Sequence, residues 1–171
     1  FSILYTENDT ELDTFDFFAG AMVDDPDVSQ DSTTLSTSLT LAKPITDWYD
    51  QRVILSHSEQ EYKGRDNGIL WYLYETDQDA VTLQSDFFLG ESDTLTLGYT
   101  YEHQAAANSG NYDDRTRQVH SLFIQNQWNC QDRLFLTLGA RWDKYDDFDA
   151  ETTYRATLAY HVRLLTGYRA A

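Results

Sequence analysis

Eight stretches of the chain, each about a dozen residues long, alternate apolar and polar side chains, and the connections between them switch strictly between short and long. The clearest stretch runs from Asp132 to Asp143, where Leu134, Leu136, Leu138, Ala140 and Trp142 fall on one side and Thr137, Gly139, Arg141 and Asp143 on the other. Successive side chains of an extended strand point to opposite faces, so a period of two residues marks a strand with one apolar face. The same alternation returns between Asp93 and His103, where Leu95, Leu97, Tyr99 and Tyr101 oppose Thr94, Thr96, Gly98 and Thr100. It returns again in Thr152 to Val162.

The composition fits a wall of such strands better than a soluble core. The chain has 171 residues and 15% aromatic content, yet its mean hydropathy is only −0.57. Membrane-crossing strands need about 9–11 residues with every second one apolar, which leaves the average hydropathy low while one face is greasy. No segment approaches the roughly 20 apolar residues of a spanning helix. Phe1 opens directly in strand-like sequence, so an export signal is expected to have been removed or to lie outside this chain. A net charge of −17 argues against nucleic acid, because binding to a phosphate backbone relies on clustered Lys and Arg. The single Cys130 excludes an internal disulfide, and no His/Cys spacing suggests zinc.

The alternation predicts strands over 1–12, 32–43, 49–60, 77–89, 93–104, 116–128, 132–144 and 151–162, with a ninth beginning near Leu164. Short connections fall near Pro44 to Trp48, at Gly90 to Ser92 and around Asn129 to Gln131. Longer ones, rich in Asp, Gly, Asn and Ser, fall at 13–31, 61–76, 105–115 and 145–150. The fold expected is therefore all-β: an antiparallel transmembrane β-barrel segment of eight or nine meander strands, forming one domain over 1–171. Short turns would lie on the periplasmic side and long loops outside, so the first strand runs outward. Trp48, Tyr49, Tyr101, Trp128, Trp142 and Tyr160 collect towards strand ends, as a girdle at the membrane interface requires. The run ILWYLY, Ile69 to Tyr74, lacks clean alternation and is read as an extra loop hairpin or a strand extension above the membrane.

Residues 125–160, QNQWNCQDRLFLTLGARWDKYDDFDAETTYRATLAY, resemble consecutive barrel strands of the TonB-dependent outer-membrane receptors, in the cobalamin and siderophore receptor branch. YTENDTELDTFDFF (5–18) and SDFFLGESDTLTLGYTYEHQ (85–104) resemble other strands of those barrels in the expected order, and LTGYRAA (165–171) is similar to the family's strand-ending GTGFRAP. The resemblance implies outer-membrane transport, in a Gram-negative bacterium, of a siderophore, cobalamin or similar large scarce nutrient. The implied partners are membrane lipid, a metal chelate or corrinoid, and the TonB system. The family's plug domain and TonB-contacting segment have no counterpart in these residues, and its barrels have about 22 strands. A fragment or truncated relative is therefore expected, with the TonB system reached only through a plug that this chain lacks. The turn before the last motif is also shortened, between Tyr160 and Leu164.

Loops at 13–31, 61–76 and 105–115 would share the extracellular side and converge on a ligand. Phe15, Phe17, Phe18, Trp71, Tyr72 and Tyr112 are the candidates for apolar contact with it. Asp24, Asp25 and Asp27 offer the hard oxygen ligands that calcium takes, though without the spacing of an EF-hand, and calcium is the one cofactor the sequence suggests. Arg141, Arg155, Asp86 and Asp143, on the polar side of their strands, are expected to form a polar ladder across strands or to contact a plug rather than to perform chemistry. His57, His103, His120 and His161 are scattered and no nucleophile motif accompanies them, so an enzyme is not expected. The alternative function is structural or adhesive: a small barrel closed on itself, or chains pairing edge to edge.

Overall fold

Alternation over a dozen residues commits each stretch to an extended backbone, whose N–H and C=O groups then need a neighbouring strand. Consecutive stretches supply it. The computed structural model describes residues 1–16, 18, 20–23, 27–109 and 115–161. Its strands are β1 (Ser2–Glu11), β2 (Thr14–Asp16), β3 (Ala21–Val23), β4 (Val28–Thr46), β5 (Tyr49–Asp66), β6 (Ile69–Phe88), β7 (Asp93–Asn108), β8 (Arg115–Cys130), β9 (Leu134–Tyr145) and β10 (Glu151–Tyr160). Eight of them form one antiparallel sheet in the order β1-β4-β5-β6-β7-β8-β9-β10, while β2 and β3 make a separate small hairpin. No helix among the described residues is long and apolar enough to cross a membrane.

Two expectations about the connections need correction. Segment 61–76 is no loop: β5 and β6 stay paired as far as Asp66 and Ile69, and Asn67 (φ 51°) and Gly68 (φ 74°) turn the chain between them. Two consecutive left-handed residues with Gly second make the type I′ turn that matches strand twist. ILWYLY is thus the start of β6, a strand extension as well as half of a hairpin. Segment 13–31 contains β2 and β3, and β4 begins at Val28 and pairs with β1 from Ser29 onward. At the opposite end the turn after β8 is equally tight. Gln131 and Asp132 have positive φ, the Arg133 amide donates to the Cys130 carbonyl at 3.1 Å, and the Asn129 and Asp132 side chains hydrogen bond at 2.7 Å. Pro44 lies inside β4 beside a register shift, where the missing N–H costs least. The ninth strand expected near Leu164 lies outside the described residues.

Register separates two faces along the whole sheet. Leu41, Val53, Leu83 and Tyr99 align with Leu122 and Trp142 on one. Ala42, Arg52, Gln84, Gly98, Phe123 and Arg141 align on the other. The sheet is a single layer, so the apolar face stays exposed: Leu41 is 57%, Leu122 52% and Leu158 67% accessible. Val119 is the one hydrophobic residue buried among those described. The apolar band on β5 runs from Tyr49 to Leu55, about 20 Å at 3.3 Å per residue, near the height of a barrel's lipid-facing band. Aromatic rings border it at both ends. Tyr49 stacks on Phe87 at 5.0 Å beside Trp48, with Trp128 and Tyr160 at the same short-turn end. Tyr99, Tyr101, Trp142 and Tyr154 mark the other end, where Tyr99 Oη hydrogen bonds with His120 Nδ1 at 2.8 Å.

The two faces predict unequal costs for charge. Arginine at Leu97, midway across the apolar band, should destabilise the protein folded in lipid by about 2–4 kcal/mol, whereas Thr137→Arg on the polar face should cost much less. Urea unfolding in bilayers measures both, and equal costs would reverse the assignment of the faces.

Candidate functional site

Beyond the apolar band, towards the long loops, β5 and β6 continue as a paired hairpin, and the residue types on their two faces change together. The face continuous with the apolar band becomes acidic: Glu59 stands opposite Asp77, and Glu61 opposite Glu75. On the other face Ser58 pairs with Gln78, Gln60 with Thr76, Tyr62 with Tyr74, and Gly64 with Tyr72. This neutral face is knit by hydrogen bonds. Ser36 and Ser58 hydroxyls lie 2.9 Å apart, and Tyr72 Oη donates to Gln30 Oε1 at 2.8 Å. The Tyr72 ring lies across Gly64, where a Cβ would collide with it.

Gln60, Tyr74, Thr76 and Gln78 line a concavity of about 680 Å³ with Gln104, Arg115 and Arg117. Strand pairing brings them together: Gln78 lies opposite Gln104, and Gln104 opposite Arg117. Arg117 Nε donates to Gln104 Oε1 at 3.0 Å, and its guanidinium carbon sits 5.6 Å from the centre of the Tyr145 ring, within cation–π range. Gln104 in turn donates to Glu102. Nearer the membrane, the expected cross-strand ladder forms only in part: its one ion pair is Arg141–Asp143 within β9, and among the described residues Arg155 and Asp86 join no ion pair. Arg141 Nε donates to Asp143 at 2.8 Å, and Ser121, 1% exposed, donates to the same carboxylate and accepts from Arg141 at 2.8 Å. Asp86 accepts from Gln84 and Thr96.

The ligand candidates expected from sequence are not brought together. Trp71 has no cross-strand partner because β6 bulges there, and it stays 69% exposed, edge-on to Tyr72 at 5.4 Å. Tyr72 belongs to the neutral face. Phe15 pairs through its backbone with Met22, and Phe18 is fully exposed in the intervening turn. Phe17 and Tyr112 lie outside the described residues, as do Asp24 and Asp25. Asp27 is exposed, and its carbonyl accepts the Asn67 amide at 2.8 Å, which ties the start of β4 to the hairpin tip. A different grouping, His57, Glu59 and Asp77, places possible metal-ligating atoms within 4.8 Å of one another on the acidic face. Both His57 nitrogens already face carboxylates, Asp79 at 2.8 Å and Glu59 at 2.9 Å, an arrangement that a protonated ring satisfies without an ion. Of the residues that do converge, Gln60, Gln78, Gln104 and Arg117 lie on strands the alternation already marks, but it does not show which of them become cross-strand neighbours; Tyr74 alone falls in a segment expected to be a loop. Asp66-Asn67-Gly68 was the available signal, since Asn-Gly between strand-like runs marks a two-residue hairpin.

Residues 2–168 match the model of a family described as TonB dependent receptor-like, beta-barrel. The chain belongs to that family. No curated protein matches the chain significantly. As a TonB-dependent receptor barrel, the sheet is a stretch of outer-membrane wall, its apolar face turned to lipid and its polar face to the lumen. The family consists of transport receptors rather than enzymes, and it implies a TonB-system partner and a transported ligand. The neutral face with Arg115 and Arg117 is then the extracellular part of the inner wall.

Two substitutions test this geometry. Asp143→Ala leaves Ser121 and Arg141 without their shared acceptor and should cost about 1–3 kcal/mol of folding stability, read by urea unfolding in bilayers. Gly68→Val puts a branched residue at φ 74°, at a cost of about 1–2 kcal/mol, and should make the β5–β6 tip sensitive to protease while the membrane-embedded part stays protected.

Proposed function

We propose that this receptor takes up a siderophore complex, a cobalamin or a similarly large and scarce nutrient, caught at the extracellular end of the inner wall. The concavity beneath the β5–β6 hairpin carries this reading. It is open, lined mainly by amide, hydroxyl and guanidinium groups with Asp77 and Asp147, and within the size range of sites for small organic ligands. Weak polar contacts spread over several strands suit a bulky ligand that has to be released inward. The edges β1 and β10 do not pair with each other. Their backbone groups require strand partners in lipid, which further wall of the same barrel would supply.

Uptake of labelled ferric chelates and cyanocobalamin by cells producing the protein, with and without an intact TonB system, is the direct test. Accumulation of one probe that vanishes when TonB is absent is the expected outcome. Accumulation that is indifferent to TonB, or none with any probe, would overturn the reading.

A further inference from the structure

We infer that the extracellular part of the inner wall recognises an anionic ligand, a metal chelate with net negative charge at its periphery, rather than a neutral corrinoid or a neutral chelate. The inference rests on the uptake reading above and names the substrate class for the same surface. Its basis is the sorting of charge by register in a chain whose net charge is −17.

From Gln30 to Ser36 on β4, Ser58 to Gly64 on β5 and Tyr72 to Gln78 on β6, the inward positions hold Ser, Thr, Gln, Tyr and Gly and no carboxylate. The carboxylates of these same segments, Asp31, Glu59, Glu61, Glu75 and Asp77, all fall on the outward parity. A pleated sheet about one residue thick thus keeps its negative charge on the membrane side and presents the lumen with uncharged hydrogen-bonding groups. β7 separates this surface from β8 and carries one inward carboxylate, Glu102, which accepts a hydrogen bond from Gln104; on β8, Arg115 and Arg117 occupy successive inward positions and line the concavity. Among the described residues neither forms an ion pair with a carboxylate. Arg117 is held in place by an amide oxygen and an aromatic face, which orient the guanidinium without neutralising it. Asp147, from the β9–β10 connection, is the one acidic residue of the lining outside the outward set. A planar guanidinium with donors to spare matches carboxylate or similar oxyanion groups, and Glu102 and Asp147, the nearby carboxylates, form no ion pair with either arginine.

The test uses outer membranes from cells making the natural full-length protein, with energisation blocked so that binding alone is read. Four labelled probes are compared: ferric citrate and a ferric tricatecholate as anions, and a ferric trihydroxamate and cyanocobalamin as neutral ligands. An anionic probe should bind. Arg115→Gln with Arg117→Gln should then raise its Kd by about ten- to a hundredfold, while Lys at both positions should recover part of the affinity. Migration before and after heating confirms that each variant is folded. Binding confined to a neutral probe, or an anion affinity unchanged in the Gln variant, would overturn the anion assignment and leave the uptake reading intact. If none of the four binds to the natural protein, the uptake reading fails, and the inference falls with it.

Discussion

Every feature of this sheet follows from the cost of an unpaired backbone amide or carbonyl in hydrocarbon. Such a group loses several kcal/mol relative to water and finds no solvent partner in lipid, so strands that cross a membrane must satisfy one another. The long antiparallel ladders from β4 to β9 do this without help from a core. Side chains are thereby released from the usual duty of packing inward. Ser121, Thr96, Asp143 and Val119 are the buried side chains among the described residues, and three of those four are polar. Most hydrophobic residues of the membrane-crossing part face outward, where lipid covers them, with Val119 and Phe123 among the inward exceptions.

Once pairing is obligatory, register becomes the main specificity device, because a slip of one residue would exchange the two faces. The sheet uses that coupling twice. Across the membrane it puts Leu, Val and aromatic rings outward and Thr, Gln and Arg inward. Above the membrane the same parity puts Glu and Asp outward and hydroxyls and amides inward. The like-charged neighbours Glu59–Asp77 and Glu61–Glu75 carry a local penalty. Water and Lys63, which binds Glu61 at 2.5 Å, reduce it. In return the lumenal wall above the membrane is free of carboxylates from Gln30 to Ser36 on β4, Ser58 to Gly64 on β5 and Tyr72 to Gln78 on β6. A ligand-recognition surface made this way needs no dedicated loop: it is the membrane wall, continued outward past the lipid.

Alternation alone determined the eight wall strands, their antiparallel order and the assignment of each residue to a face, because a period of two has one physical meaning on a pleated ribbon. Leu136 against Thr137 and Arg141 beside Asp143 were legible in that way. The aromatic ends were legible too, since Trp48, Tyr49 and Trp142 sit at strand termini in the sequence itself. Strand length was not. Above the membrane both faces are wet, the apolar signal stops, and Tyr62 to Tyr74 reads as loop although the ladder persists to Asp66 and Ile69. Tertiary structure decided what could meet whom. Gln104 touches Arg117, Tyr72 crosses Gly64 and Arg141 shares Asp143 with Ser121 only because hydrogen-bond register aligns residues that lie tens of positions apart, and register is a property of paired strands that no single strand contains.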